Sequence, residues 1–484
     1  MIASPLHAGF TLRSRRLVPG PLGRPAPQLE TFFPSPSNVP EIAPFAALRY
    51  NLDKVGSLSD VIAPPYDVID PELQNELYDR HAANVIRIIL NRPEDGDDED
   101  AKYQRAAQFA RDWIQDGTLV REDSPAIYVY HQTFTAEGQE YTRRGFMARV
   151  RIQPFGEGNI YPHEETHPKA KVDRLKLTKA TGQNNSQIFG LYPDPSNEII
   201  NGLDEAIAGQ DPVEATDHLG VVHRMWAVTD PNAIDRVVFG IGTTPMFVAD
   251  GHHRYETASN YRQEQIDRHG GSLPKDHPAN FVMTMLVGMS DPGMIVLPTH
   301  RLLRGTPTFS SVEITGRLAE HFDCENLGGG VEAAAAAWTQ MEADDDQGQV
   351  ALYAAADQTW VLAKAKPSVS DAMKKIASDR SEDWRGLGVS ILHRLVIDEL
   401  LGLAGHSKPT YVHEAEEVVA AIKGEGSQAE SDGDSDYTFA ALVMPAKLSH
   451  VEAISLNKER MPAKSTYFYP KLLSGLTFHP LTED

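Results

Sequence analysis

Val248-Ala249-Asp250-Gly251-His252-His253-Arg254-Tyr255 reads as the end of a strand that meets a helix through a polar turn. The apolar run Met246-Phe247-Val248-Ala249 supplies the strand, and Asp250-Gly251 interrupts it. A helix that begins at a strand's C-terminal end leaves its first N–H groups without intrahelical partners. It also directs the positive end of its dipole at one point. Such a point binds anions, phosphate above all. Gly251 lets the backbone approach a phosphate, and His252, His253 and Arg254 can give charge or hydrogen bonds to its oxygens. Asp250 can orient a hydroxyl or hold a metal. The plainer alternative is a simple turn whose histidines cap a helix. Adjacent histidines point in different directions, so the pair alone makes a poor metal site.

Working outward, the chain alternates strand-like and helix-like patterns. Phe45 to Tyr50 leads to Val61-Ile62-Ala63-Pro64-Pro65-Tyr66-Asp67, where the paired prolines forbid a regular ladder and fix an extended backbone beside Tyr66 and Asp67, read as a rigid connection in preference to a ligand-facing loop. Tyr103, Ala106, Ala107, Ala110, Trp113 and Ile114 recur at helical spacing before Gly117. Ala126 to Tyr130 and Tyr141 to Ile152 flank a polar turn and predict a β-hairpin. A helix is expected around 199–208, a strand over 221–228, and another helix over 389–397. Residues 424–436, rich in Gly, Ser and acids, read as a solvated loop before an apolar run at 439–444.

The chain has 484 residues, 41% of them hydrophobic and 23% charged, which is the composition of a folded protein long enough for two or three cores. No uninterrupted apolar run is long enough to cross a bilayer. With 45 Lys+Arg against 68 Asp+Glu the net charge is −23, which disfavours a broad grip on nucleic acid. The lone Cys324 permits neither an internal disulfide nor a cysteine metal cluster, consistent with a cytoplasmic setting. The first forty residues, rich in Arg, Pro and Ser, read as a disordered tail outside the fold.

Tyr161-Pro162-His163-Glu164-Glu165-Thr166-His167-Pro168 contains the His-Glu-x-x-His string of zinc peptidases. That chemistry needs both histidines on one face of a helix, and Pro168 disfavours helical geometry at His167. What remains is a carboxylate, Glu164 or Glu165, with Thr166 and an imidazole beside it: a general-base arrangement, or else a solvated charged loop.

These residues, together with Asp173-Arg174-Leu175, Ile188-Phe189, Thr299-His300-Arg301 and Met461 to Lys471, resemble the bacterial family called domain of unknown function 1015 (DUF1015) from about residue 41 onward. Gln187 stands where that family carries proline. The Asp-Gly-His-His-Arg turn also resembles the nucleotide-phosphate box of free serine kinases, sulfiredoxins and ParB proteins. The sulfiredoxin activity is disfavoured, since His252 occupies the position of its reactive cysteine.

The resemblance implies a mixed α+β fold, a ParB/sulfiredoxin-like nucleotide-binding core with further α+β regions. Composition and this resemblance together divide the chain into a tail at 1–40, the catalytic α/β region at 41–305, an α+β region at 306–423, an acidic loop at 424–437, and a segment at 438–484 packing back on the core. It implies phosphotransfer involving free L-serine or O-phosphoserine, with ATP or ADP and Mg²⁺. A phosphoserine phosphatase and a non-catalytic nucleotide-binding regulator are the alternatives. Glu164, Asp250 and His253 would be catalytic. Gly251, His252, His253, Arg254, Arg301, Lys464, Ser465 and Thr466 would hold the nucleotide or substrate. The sequence sets no oligomeric state.

Overall fold

The computed structural model describes residues 40–136, 138–165, 168–330, 333–425 and 437–482. The expected N-terminal tail, Thr166, His167 and most of the acidic loop lie outside them. The fold is mixed α+β. Among the described residues nine strands form one mixed sheet, in the order Ile160–Pro162, Met246–Asp250, Ile188–Tyr192, Phe281–Gly288, Gln139–Arg151, Ile127–Ala136, Val222–Val228, Val213–Thr216, with Ile42–Ala43 beside Gln139–Arg151. Met246–Asp250 runs parallel to Ile160–Pro162 and antiparallel to Ile188–Tyr192. The expected hairpin is present as the antiparallel pair Ile127–Ala136 and Gln139–Arg151.

Side-chain alternation sorts this sheet into two faces. Ile127, Val129, Met246, Val248, Val282 and Leu286 share one core with the helices Glu198–Ile207 and Pro231–Ile241. Tyr128, Tyr130, Phe247, Ala249, Met283 and Met285 face the other way, into a core continuous with the second sheet. Each large side chain so buried contributes roughly 1.5–3 kcal/mol. A one-residue slip would reverse both faces, so the register of the strand carrying Asp250 is tightly set.

The second sheet is wholly antiparallel, in the order Phe322–Gly329, Thr359–Ala365, Gln349–Ala354, Tyr437–Val443, His300–Arg304, Thr410–Val412. The helical pattern at 389–397 is present as a short α-helical turn, Gly388–Ser390, that continues as the wider π-helix Ile391–Leu400. Beyond the second sheet the chain pairs with segments that precede that sheet. Met461 bridges Glu164, Tyr467–Tyr469 pairs with Ile295–Leu297, Ser474 bridges Ala63, and His479–Pro480 pairs with Gln183–Asn184. Among the described residues no helix is long and apolar enough to cross a membrane.

Candidate active site

The quoted stretch folds as its residue types dictate. Asp250 closes the strand, with a register irregularity between Val248 and Asp250. Gly251 caps the helix His252–Arg268 at φ 89°, a left-handed conformation that disfavours a side chain. Space enforces the same choice, because a Cβ there would lie 3.0 Å from the Arg254 guanidinium. Arg254 is itself anchored, donating to the Gln187 carbonyl and to Asp250 Oδ1 at 3.3 Å. Gln187 is buried and donates to the Leu473 carbonyl at 2.9 Å.

Asp250 is the electrostatic centre of the turn. Lys471 Nζ lies 2.8 Å from its Oδ2, and both side chains are one-fifth exposed or less. Burial works against its ionisation, but the charges of Lys471, Arg254 and Lys464 outweigh it and hold the carboxyl far below the usual range.

Glu164 reaches the same place from another direction. His163 to Glu165 are not helical; Glu164 forms a parallel bridge with Met461, and the following helix begins only at Pro168. That geometry removes the zinc-peptidase arrangement, which needs a helix through His163 and Glu164. Glu164 Oε1 accepts from the Ser465 and Thr466 backbone N–H groups at 3.2 and 3.3 Å and from the Thr466 hydroxyl at 3.1 Å.

His163 supports this arrangement from behind. Its Nδ1 lies 2.6 Å from the Val248 carbonyl, which can only accept, so Nδ1 carries the proton. Burial lowers its pKa and keeps the ring neutral, leaving Nε2 as an acceptor 2.8 Å from the Thr466 hydroxyl. One hydroxyl proton thus stands between His163 and Glu164. His252 is also buried, its pKa pushed well down by burial and by His163, and its Nε2 accepts from the His163 backbone N–H at 3.2 Å.

Glu164, Glu165, Asp250, Gly251, His252, His253 and Arg254 line one small cavity of about 80 Å³, together with Ala463 and Lys464. Tyr66 and Asp67 complete it. The prolines read as a rigid connection therefore also serve the pocket: Pro65 is extended and delivers Tyr66–Val68 as a single 3-10 turn at its rim. No local sequence signal distinguishes this from an ordinary bend.

The remaining expected residues stand behind the wall. Ser465 and Thr466 are buried, their N–H groups turned to Glu164, and the Ser465 hydroxyl donates to the Pro462 carbonyl at 2.6 Å. Arg301 is fully buried and donates to the Thr299 carbonyl, to the Lys464 carbonyl at 2.8 Å and to His393 Nε2 at 3.2 Å. It therefore touches the pocket through the backbone of Lys464, a non-glycine residue held at φ 58°. Arg143, equally buried, donates to the carbonyls of Tyr469 and Pro470 and to Gln132. Burial lowers both guanidinium pKa values to about 10. These two arginines fix the segment that supplies Lys464, the Glu164 contacts and Lys471.

The polar set suits a small ligand of mixed charge. Four carboxylates (Asp67, Glu164, Glu165 and Asp250) meet His253, Arg254, Lys464 and a helix N-terminus. These residues do not build a metal cage of their own. Among the described residues no group of three His, Cys, Asp or Glu side chains is placed to hold a metal, and both Asp250 oxygens have cationic partners.

The family model described as "Protein of unknown function (DUF1015)" matches residues 42–403. No curated protein matches the chain. Among solved structures the chain is similar to a free serine kinase mutant in complex with ADP, at 11% identity and TM-score 0.30, covering 64% of this chain and 84% of that one. It is likewise similar to a conserved hypothetical protein from Pyrococcus furiosus, at 12% identity, TM-score 0.29 and coverages of 65% and 89%. A third is SbnI with C-terminal truncation from Staphylococcus aureus, at 10% identity, TM-score 0.30 and coverages of 69% and 87%. Likenesses this low carry no argument about activity.

Proposed function

For this chain, which belongs to the DUF1015 family, we propose a phosphotransferase that moves a phosphoryl group to or from the hydroxyl of free L-serine, with ATP or ADP as the other party. One observation carries the reading: Glu164 and Asp250, far apart in sequence, line a single small pocket at the N-terminus of a helix.

A serine hydroxyl is a weak nucleophile at neutral pH, so transfer needs a positioned acceptor for its proton. Glu164 fills that role. One carboxylate oxygen is held by two backbone N–H groups and shares the Thr466 hydroxyl proton with His163, which leaves the other for the substrate. As the serine oxygen bonds to phosphorus, its proton passes to Glu164 and the bond from phosphorus to the departing oxygen breaks. Negative charge on the transferred group is met by the first N–H groups of the helix at His252, with His253 and Arg254 beside them. Asp250, kept ionised by Lys471, orients the hydroxyl or the substrate's ammonium group. No step is assigned to Mg²⁺, because the residues present do not by themselves form its site.

The small pocket favours a second reading, phosphoserine hydrolysis with water as acceptor, since about 80 Å³ takes a phosphoryl group but by itself no nucleotide. Incubation with serine plus ADP or ATP, and separately with phosphoserine alone, followed by phosphorus NMR, separates the two. Serine-dependent phosphoserine formation is the expected result. Phosphate release from phosphoserine without nucleotide replaces the kinase by the phosphatase. Nucleotide binding with no change in either substrate sinks both.

A further inference from the structure

The small pocket opens beside a much larger cavity. Glu165 and Ala463 line both, and the larger space measures about 410 Å³. Its volume lies in the range of sites that enclose cofactor-sized molecules, roughly 300–1,000 Å³, whereas the small pocket falls well below it. The walls come from the second half of the chain and from the loop that positions Glu164.

Its chemistry departs from that of the molecule as a whole. In a chain of net charge −23, Arg380, Arg394 and Arg460 line this space with two acids, Asp379 and Glu165; Asp379 lies 3.5 Å from Arg380, and Arg460 is 4.0 Å from Glu256 outside the lining. Arg394 is exposed and makes no hydrogen bond or ion pair among the described residues; its charge reaches Asp398 only through space. Arg380 lies 5.2 Å from the centre of the Trp384 ring, and Trp384 is fixed by its Nε1–H donating to the Arg460 carbonyl at 2.9 Å. Guanidinium groups beside aromatic faces suit an organic anion, because the fork takes up phosphate or carboxylate while the rings cover the carbon skeleton.

We propose that this cavity holds the organic body of a phosphate-bearing ligand whose phosphoryl group occupies the small pocket, with Arg394 and Arg380 meeting a further anionic group of that ligand. The inference rests on the phosphotransfer reading of the small pocket. Two molecules share this chemistry: a nucleoside phosphate, whose remaining phosphates would be the second anion, and phosphoserine, whose carboxylate would be.

The test is calorimetric titration of full-length protein with ADP, ATP, phosphoserine and inorganic phosphate, for wild type, Arg394→Glu and the milder Arg394→Ala. Thermal melting serves as the folding control, and an exposed, unpaired arginine should leave it unchanged. A tenfold or greater weakening of ADP and ATP with phosphoserine and phosphate unaffected assigns the cavity to the nucleotide. The same loss confined to phosphoserine assigns it to the amino acid side. Unchanged affinities in both variants overturn the proposal, as does wild-type protein that binds none of the organic ligands. Equal weakening of every ligand, inorganic phosphate included, marks a long-range charge effect and also overturns it. The two readings fail separately: turnover with unchanged Arg394→Glu affinities removes only the cavity, and selective weakening without turnover removes only the transfer.

Discussion

Replacing Lys471 by Met tests whether Asp250 is the electrostatic centre of the site. The substitution keeps most of the stem and removes the ammonium that lies 2.8 Å from Asp250 Oδ2. Breaking a fully buried pair from one side costs about 3–5 kcal/mol, because the other charge is left in a low-dielectric site. Here the two side chains are 16% and 20% exposed and Arg254 remains 3.3 Å from the other oxygen, which moderates the loss. The contact of Lys471 with the Tyr467 ring, 4.2 Å to its centre, adds a smaller term. The expected destabilisation is about 2–4 kcal/mol. Denaturant unfolding at pH 7 measures it, and the double variant with Asp250→Asn should recover part of the loss, since the uncompensated charge is then gone. Asp250's folded pKa is depressed, so its contribution is complete above its unfolded value of about 3.9 and disappears as pH falls through the folded value. The difference between wild type and variant should therefore be constant from pH 8 to pH 5. A loss below about 0.5 kcal/mol, the range of an exposed pair, would refute the reasoning, as would strict additivity with Asp250→Asn.

Gly251→Ala should cost roughly 1–2 kcal/mol from its left-handed backbone and displace Arg254, so phosphate-bearing ligands should bind more weakly in calorimetric titration. Thr466→Val removes the one hydroxyl proton that His163 Nε2 and Glu164 Oε1 share, and should cost about 1–3 kcal/mol in urea unfolding, with Thr466→Ser restoring most of it. Burial pushes the pKa values of His300, His393 and His479 down to about 3, with Arg301 adding to the shift of the first two. The unfolded chain takes up protons below about pH 6.5 that the folded chain refuses, so stability should fall with pH from there by up to about 1.4 kcal/mol per unit for each histidine. Melting temperatures that stay level between pH 7 and 5 would contradict those burials.

Local patterns in the sequence carried the elements well. The short unbroken apolar runs at 246–249 and 127–130 fit strands buried on both faces, and Asp250-Gly251 marks the turn, so strand, turn and helix were legible together. Of the candidate pocket, Asp250 to Arg254 were legible as neighbours in the chain, whereas Glu164 and Lys464 were joined to them only by the resemblance. Ser465, Thr466 and Arg301 were read as ligand contacts because hydroxyls and guanidinium groups bind phosphate. The structure buries all three, with the Ser465 and Thr466 N–H groups turned to Glu164, the Ser465 hydroxyl to Pro462 and one Arg301 donor to Lys464, where they hold the residues that line the pocket. Tyr66 and Asp67 were read into a rigid connection in preference to a ligand-facing loop, because two prolines give a strong local signal that says nothing of what lies across the fold. Contacts such as Glu164 with Met461 depend on long-range pairing, which leaves no periodicity to read.

The central claim is that Glu164 and Asp250 act together on one substrate, and the most direct measurement is phosphorus NMR of serine with ADP or ATP in the presence of wild type, Glu164→Gln and Asp250→Asn. The expected result is phosphoserine formation by the wild type and a loss of at least a hundredfold in rate for Glu164→Gln, on the order of what a positioned general base supplies, with the Glu164→Gln fold intact by circular dichroism. A Glu164→Gln protein that transfers phosphate at the wild-type rate would contradict the account.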